Sequence, residues 1–162
     1  MIDDEVMAVI LAIMVVAGVV GYASILRESW VGEGFSAIGI LGPEKRIGDY
    51  PREVVAGQSF RLWVFVANYE GRIMYYSVIV KLGNESSIPN STAPSIADEI
   101  KRVELILPSG GNATLPIDLN ITRVGRVLLI FELWYYTSDS LDLHYSGKWA
   151  HLWLNVTGVP RG

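Results

Sequence analysis

Residues 60–82 read FRLWVFVANYEGRIMYYSVIVKL, and this stretch sets the fold class. Phe60, Leu62, Val64 and Val66 alternate with Arg61, Trp63, Phe65 and Ala67, the period of two that sends successive side chains to opposite faces of a strand. Because the second set is itself largely apolar, the strand is expected to be buried on one face and partly covered on the other. Asn68-Tyr69-Glu70-Gly71 reads as a hairpin turn, with Arg72 to Leu82 returning as the partner strand.

Outward from this pair the same signals recur. Phe35 to Leu41 reads as a strand closed by Gly42-Pro43-Glu44-Lys45. Val103 to Leu107 is another, ended by Pro108-Ser109-Gly110-Gly111. Thr114 to Ile121 carries Pro116, which cannot donate to a ladder and marks an edge. Val124 to Tyr136 is the longest and most apolar run, hence central, and Lys148 to Val156 closes the fold. Ile47 to Gln58 holds Pro51 and Gly57 and reads as a loop or irregular edge crossing. Gly83 to Asp98 and Ser138 to Gly147 read as loops. About seven strands with regular turn signals predict an Ig-like antiparallel β-sandwich, with an up-and-down barrel as the alternative.

Upstream the pattern changes. Val6 to Leu26 is a run of 21 residues without a charge, which as a helix spans roughly 31 Å, close to the ~30 Å hydrocarbon core of a bilayer. Asp3, Asp4 and Glu5 precede it, where carboxylates favour a helix N-terminus. Tyr22 and Trp30 fall near the far interface. The expected organisation is a transmembrane helix over 1–28, a juxtamembrane hinge at 29–34, a β-sandwich over 35–158 and a tail at 159–162. A cleaved signal peptide competes, with Gly21-Tyr22-Ala23 as a small-x-small site, although its n-region is acidic rather than basic. Ala8, Ala12, Ala17 and Gly21 supply small-residue spacings that admit a neighbouring helix.

Composition narrows the function. Seventeen acids against thirteen bases give a net charge of -4, and no basic run appears, so nucleic acid is not an expected partner. With no cysteine, disulfides, thiolate metal sites and cysteine nucleophiles are excluded. His144 and His151 have only Asp139 and Asp142 as candidate co-ligands and read better as polar histidines at strand ends. Asp49, Glu53, Asp98 and Glu99 form no carboxylate pair, and Gly32-Glu33-Gly34 and Gly110-Gly111 lack the context of a phosphate loop. The expectation is a protein that is not an enzyme and holds no cofactor and no metal.

The asparagines are more telling. Of six, five open an Asn-x-Ser/Thr triplet: Asn84, Asn90, Asn112, Asn120 and Asn155. Ser and Thr make up 18 of 162 residues, about one in nine, so chance would supply fewer than one such triplet. Sequons imply N-linked glycans and a β-domain on the extracytoplasmic side of the cell membrane. Positive-inside counting opposes this with one residue, Arg27 on the C-terminal side, and the sequons outweigh it.

Several motifs are similar to those of an archaeal membrane-protein family, domain of unknown function 1616. They are Leu41-Gly42-Pro43, Asp49-Tyr50-Pro51 and Gly57; Asn68-Tyr69-Glu70-Gly71 with Tyr76-Ser77-Val78; Gly125-Arg126-Val127-Leu128; and Tyr145 with Leu152-Trp153-Leu154. The resemblance covers most of the β-domain and implies fold, membrane context and archaeal source. Family members often carry several membrane helices ahead of the domain, where this sequence shows one.

Three roles follow as expectations. The first is a single-pass, non-catalytic surface or accessory protein, its partners being membrane lipid, N-linked glycans and other membrane or surface proteins, with self-association included. The second is a pilin-like filament subunit with its helix in the filament core, against which the sequence, beginning at Met1, shows no basic leader. The third is a carbohydrate-binding module using some of Trp63, Tyr75, Tyr76, Trp134, Tyr135, Tyr136, Tyr145, Trp149 and Trp153, although core packing and cross-strand pairs account for them more simply.

Overall fold

In the computed structural model, residues 4–29 and 33–159 are described, and the chain divides into two compact units, 1–34 and 35–162. The first is a helix, α1, over Asp4–Ser29. Its side chains from Val6 to Ser24 are all exposed, and that span is long and apolar enough to cross a membrane. Residues 30–32 of the expected hinge, Trp30 among them, lie outside the described residues.

The second unit holds eight strands: β1 Phe35–Leu41, β2 Glu53–Val55, β3 Ser59–Tyr69, β4 Met74–Gly83, β5 Asp98–Leu107, β6 Asn112–Asn120, β7 Gly125–Tyr136 and β8 Leu143–Thr157. They form a three-stranded sheet ordered β1-β3-β6 and a five-stranded sheet ordered β2-β8-β7-β4-β5. All neighbours are antiparallel except β2 and β8, which run parallel. The expected sandwich is thus present, with β7 in the middle of the larger sheet and Pro116 on the edge strand β6.

Three sequence expectations need correction. The hairpin at Asn68–Gly71 does not exist: β3 pairs with β1 and β6, β4 pairs with β5 and β7, and the segment between them carries the chain from one sheet to the other. Burial explains why. Leu62, Val64 and Val66 of β3 and Tyr76, Val78 and Val80 of β4 are all fully buried. Two strands that each place an apolar face into one core cover more of it facing each other than side by side. Secondly, β8, at 15 residues, is longer than β7, at 12. Its first part, Leu143–Gly147, lies in the expected loop, and a register shift at Leu133/Trp134 interrupts the pairing there. Thirdly, β5 begins at Asp98, in the segment expected to be loop, while the stretch expected as a loop or irregular edge crossing holds a short edge strand, β2, over Glu53–Val55.

The core lies between the sheets and is filled by β3 and β4 together with Val127, Leu129, Phe131 and Leu133 of β7, Ile117 and Leu119 of β6, and Leu154 and Val156 of β8. On the opposite face of the larger sheet, Ile79, Leu128 and Ile130 are equally buried. Across that face runs the segment from Asn84 to Ala97, which opens with a short 3-10 turn at Glu85–Ser87.

Candidate functional site

The six asparagines separate cleanly. All five in sequons are exposed, whereas Asn68, which heads no sequon, is 0% exposed. Asn84 caps the 3-10 turn, its Oδ1 accepting from the Ser86 amide at 3.0 Å and from the Ser86 hydroxyl. Asn90 forms the same kind of turn, its Oδ1 accepting from the Thr92 amide at 2.9 Å and the Ala93 amide at 2.8 Å. In both, the carbonyl oxygen is occupied and Nδ2, the atom an N-linked sugar takes, has no acceptor among the described residues. Asn112 and Asn120 are the first and last residues of edge strand β6 and project from the outer face of the small sheet. Asn120 Nδ2 donates to Gly57 O at 2.8 Å, and Asn155 Nδ2 donates to Glu53 Oε1 at 3.4 Å, a long bond.

The aromatic residues divide three ways. Tyr76 is in the core, where its hydroxyl meets Ser36 Oγ at 2.7 Å. Tyr75 with Tyr136, and Trp134 with Tyr145, are cross-strand pairs on the outer face of the large sheet, with centroids at 4.5 and 5.4 Å. Trp149, His151, Trp153 and Asn155 follow one another along the outer face of β8. The Trp149 and His151 rings are stacked at 5.3 Å, and the Arg126 guanidinium lies 4.4 Å above the Trp153 ring. Trp63 is half-buried on the small sheet under Lys45, at 4.1 Å, and donates to Pro43 O. Cross-strand pairing therefore explains more of these side chains than core packing does.

Two charged residues interrupt the apolar strands. Glu132 is 0% exposed, and its carboxylate is met by Lys81 Nζ at 3.0 Å, by Trp134 Nε1 at 2.9 Å and by the Ser95 amide. Lys81 Nζ also donates to Ser95 O at 2.7 Å. Tyr145 OH donates to Asn90 O at 2.9 Å, and burial, with the Glu132 charge adding to it, pushes this hydroxyl up to about 12. The cluster fastens the Asn84–Ala97 segment, with two of its sequons, to the sheet. Sequence reading passed over it, although one Lys and one Glu inside otherwise apolar runs were the available signal.

A second polar group stands on the surface beside it. Tyr75 and Tyr136 donate to the two oxygens of Glu104 at 2.6 and 2.8 Å and hold its carboxyl below the usual carboxylate range, Tyr75 contributing most. His144 stacks on Tyr135, away from His151, so the two histidines are not brought together. Among the described residues no three His, Cys, Asp or Glu side chains form a group able to hold a metal. The clefts are open, the more apolar one of about 430 Å³ lying against Gly39, Leu41, Ile47, Tyr50 and Phe65.

In α1, at about 100° per residue, Ala8 and Ala12 share one face while Ala17 and Gly21 share the opposite one. The small residues thus make two short patches rather than one stripe, and a Cβ added at Gly21 would meet nothing within 4 Å.

The family model described as "Domain of unknown function (DUF1616)" matches residues 29–155. The chain belongs to this family. No curated protein matches its sequence. Among solved structures, the DUF1616 fold is similar to part of a β-glucosidase from Listeria innocua in complex with glucose, with a TM-score of 0.53 and 12% identity over 77% of this chain and 16% of that one. It is similar over nearly the full length of the CARDB domain of the PF1109 protein from Pyrococcus furiosus. The crystal structure of that domain with di-metal ions gives a TM-score of 0.50 and 13% identity over 78% of this chain and 90% of that one. Its solution structure gives 0.51 and 14% over 76% and 95%. The present chain spans only 16% of the glucosidase, and at these identities the likeness shows the fold, an Ig-like β-sandwich, and nothing more.

Proposed function

We propose that this DUF1616 protein is a single-pass, N-glycosylated cell-surface protein whose sandwich stands on the extracytoplasmic side of the membrane and works by contact rather than catalysis, as an accessory subunit of a membrane or surface assembly. One observation carries the reading: the five sequon asparagines are exposed and the one asparagine outside a sequon is buried. A transferase acting from outside needs each acceptor amide at the surface, and exposure of all five meets that need. The helix supports it, because Val6–Ser24 is apolar on every face and unburied within the chain, so lipid or other helices must cover it. Its partners are membrane lipid, N-linked glycans and other membrane or surface proteins.

A second reading is a pilin-like filament subunit. The two small patches on opposite faces of α1 favour it, since a helix packed inside a filament meets neighbours on more than one side. One experiment separates these readings: recovery of the intact protein from native membranes with mass spectrometry of its glycopeptides and co-purifying proteins, beside protease treatment of whole cells. The surface reading expects sugar on the sequon peptides and digestion of the sandwich in unbroken cells. Filaments containing this chain in electron micrographs would favour the second. Bare peptides, and a sandwich cut only after lysis, would refute both.

A further inference from the structure

Asn155 differs from the other sequon asparagines in what precedes it. Two residues earlier on a strand, about 6.7 Å away, the side chain points to the same face. At that offset stand Leu82, Ile88, Gly110 and Asp118 for Asn84, Asn90, Asn112 and Asn120, but Trp153 for Asn155. Burial fixes the face, because Leu154 and Val156 are in the core, which turns Trp153 and Asn155 outward together. Arg126 of β7 lies directly opposite Asn155 in the register and reaches diagonally over the Trp153 ring, 4.4 Å from its centroid.

We propose that Trp153 and Arg126 form a seat for the first sugar on Asn155, a reading that rests on the N-glycosylation proposed above. A pyranose has one face of C–H bonds whose hydrogens carry partial positive charge, and the indole face is the negative side of its quadrupole. The Arg126 guanidinium lies over the half-buried Trp153 ring as a cation, which marks that face as electrostatically attractive. When the sugar takes the ring, Arg126 moves aside, and its N–H donors meet the sugar hydroxyls. The contacts given up are the long bond from Asn155 Nδ2 to Glu53 and the Arg126 cation–π contact on the ring. The covalent step is ordinary sequon chemistry. Nδ2 attacks C1 of a sugar activated on a lipid phosphate; the C1–O bond to phosphate breaks, the phosphate leaves, and one amide proton is lost.

The test compares melting of the full-length native glycoprotein with its Asn155→Gln and Asn120→Gln variants, each made with Trp153 intact and with Trp153→Ala. The proposal expects loss of the Asn155 glycan to lower Tm by several degrees with Trp153 intact and by none with Trp153→Ala, while the Asn120 glycan shows no such dependence. Trp153→Tyr keeps a π-face and retains the Asn155 effect, which guards against a poorly folded alanine variant. An Asn155 effect that is the same with and without Trp153 overturns the seat. So does an unmodified Asn155 peptide beside modified peptides at other sequons, an outcome that leaves the surface reading standing; bare peptides at all five remove both. Saturable binding of free oligosaccharide to the Asn155→Gln protein would assign the ring to an external glycan and likewise overturn the proposal.

Discussion

The side-chain nitrogen of Asn68 lies 2.9 Å from the carbonyl oxygen of Leu107, and this bond ties together two places where the chain changes sheets. β3 leads into β4 past Asn68, and β5 leads into β6 past Leu107. Asn68 Nδ2 also donates to Arg72 O and Pro108 O, and its Oδ1 accepts from the Glu70 amide. Its backbone bonds to Gly110 and Gly111. Asn68→Ala would leave buried carbonyls without a donor, and each such group costs about 1–3 kcal/mol. A loss of about 3 kcal/mol in urea unfolding is the expected result. Asn68→Asp, which turns an acceptor toward those carbonyls, should cost more; a loss within 0.5 kcal/mol, the ~0.5 kcal/mol scatter of surface changes, would show that the two crossings hold independently.

The buried pair Lys81–Glu132 should respond asymmetrically. Taking either charge alone leaves the other in a dry site, a change worth about 3–5 kcal/mol, whereas an apolar pair of similar volume is often neutral. Glu132→Ala also strips an acceptor from Trp134 Nε1 and the Ser95 amide. Expected, then, is a large loss of stability for Glu132→Ala, recovery of part of it in Lys81→Met with Glu132→Leu, and faster proteolysis between Asn84 and Ala97 in both, since both remove the Glu132 acceptor of the Ser95 amide. Equal loss of stability in the single and double changes would mean that the unpaired charge is not what the single change costs.

These two clusters mark the limit of what the sequence disclosed. Alternation within 60–67 is a local property, and it identified that strand and its buried face, while the regular turn signals gave the two-layer class. Pairing is not local. Asn68-Tyr69-Glu70-Gly71 has hairpin composition, and only the distant carbonyls of Leu107 and Pro108 reveal that Asn68 is a buried clamp. β2 is three residues long and exists through its parallel register with Asn155–Thr157. Along Asp98–Arg102 every side chain is exposed, so a strand there leaves no apolar trace. The sequons were legible as triplets, and their surface placement was not.

Glu104 gives a pH test. Hydrogen bonds from Tyr75 and Tyr136 stabilise its charged form, so its folded pKa lies below the ordinary carboxylate value. Between the two values the unfolded chain binds more protons, and stability rises with pH. The contribution is therefore complete above the ordinary Glu pKa and lost as pH falls through the lower folded one. The same bonds raise both tyrosines, whose contribution is present below the ordinary Tyr pKa and lost as pH climbs through the raised one. Carbon-detected NMR should place the Glu104 midpoint below that of a free glutamate, and Tyr75→Phe with Tyr136→Phe should return it upward. A midpoint indifferent to the double change would mean the two hydroxyls do not bond this carboxylate in solution.

Gly147 and Gly71 allow backbone strain to be separated from crowding. Both have positive φ, 73° and 75°, so an alanine at either bears the cost of a left-handed residue, about 1 kcal/mol or somewhat more. A Cβ at Gly71 would meet nothing within 4 Å, whereas one at Gly147 would fall 2.4 Å from the backbone oxygen of Ser91. Gly147 sits where β8 accommodates the register shift opposite Leu133, and the Asn84–Ala97 segment closes directly onto it. Gly71→Ala should therefore lower stability by about 1 kcal/mol and leave protease sensitivity unchanged. Gly147→Ala should cost clearly more and open the segment around Asn90 to cleavage, because the backbone of Ser91 must move away from the sheet. If the two substitutions cost the same, the segment does not rest on β8, and the burial of Glu132 beneath it needs another cover.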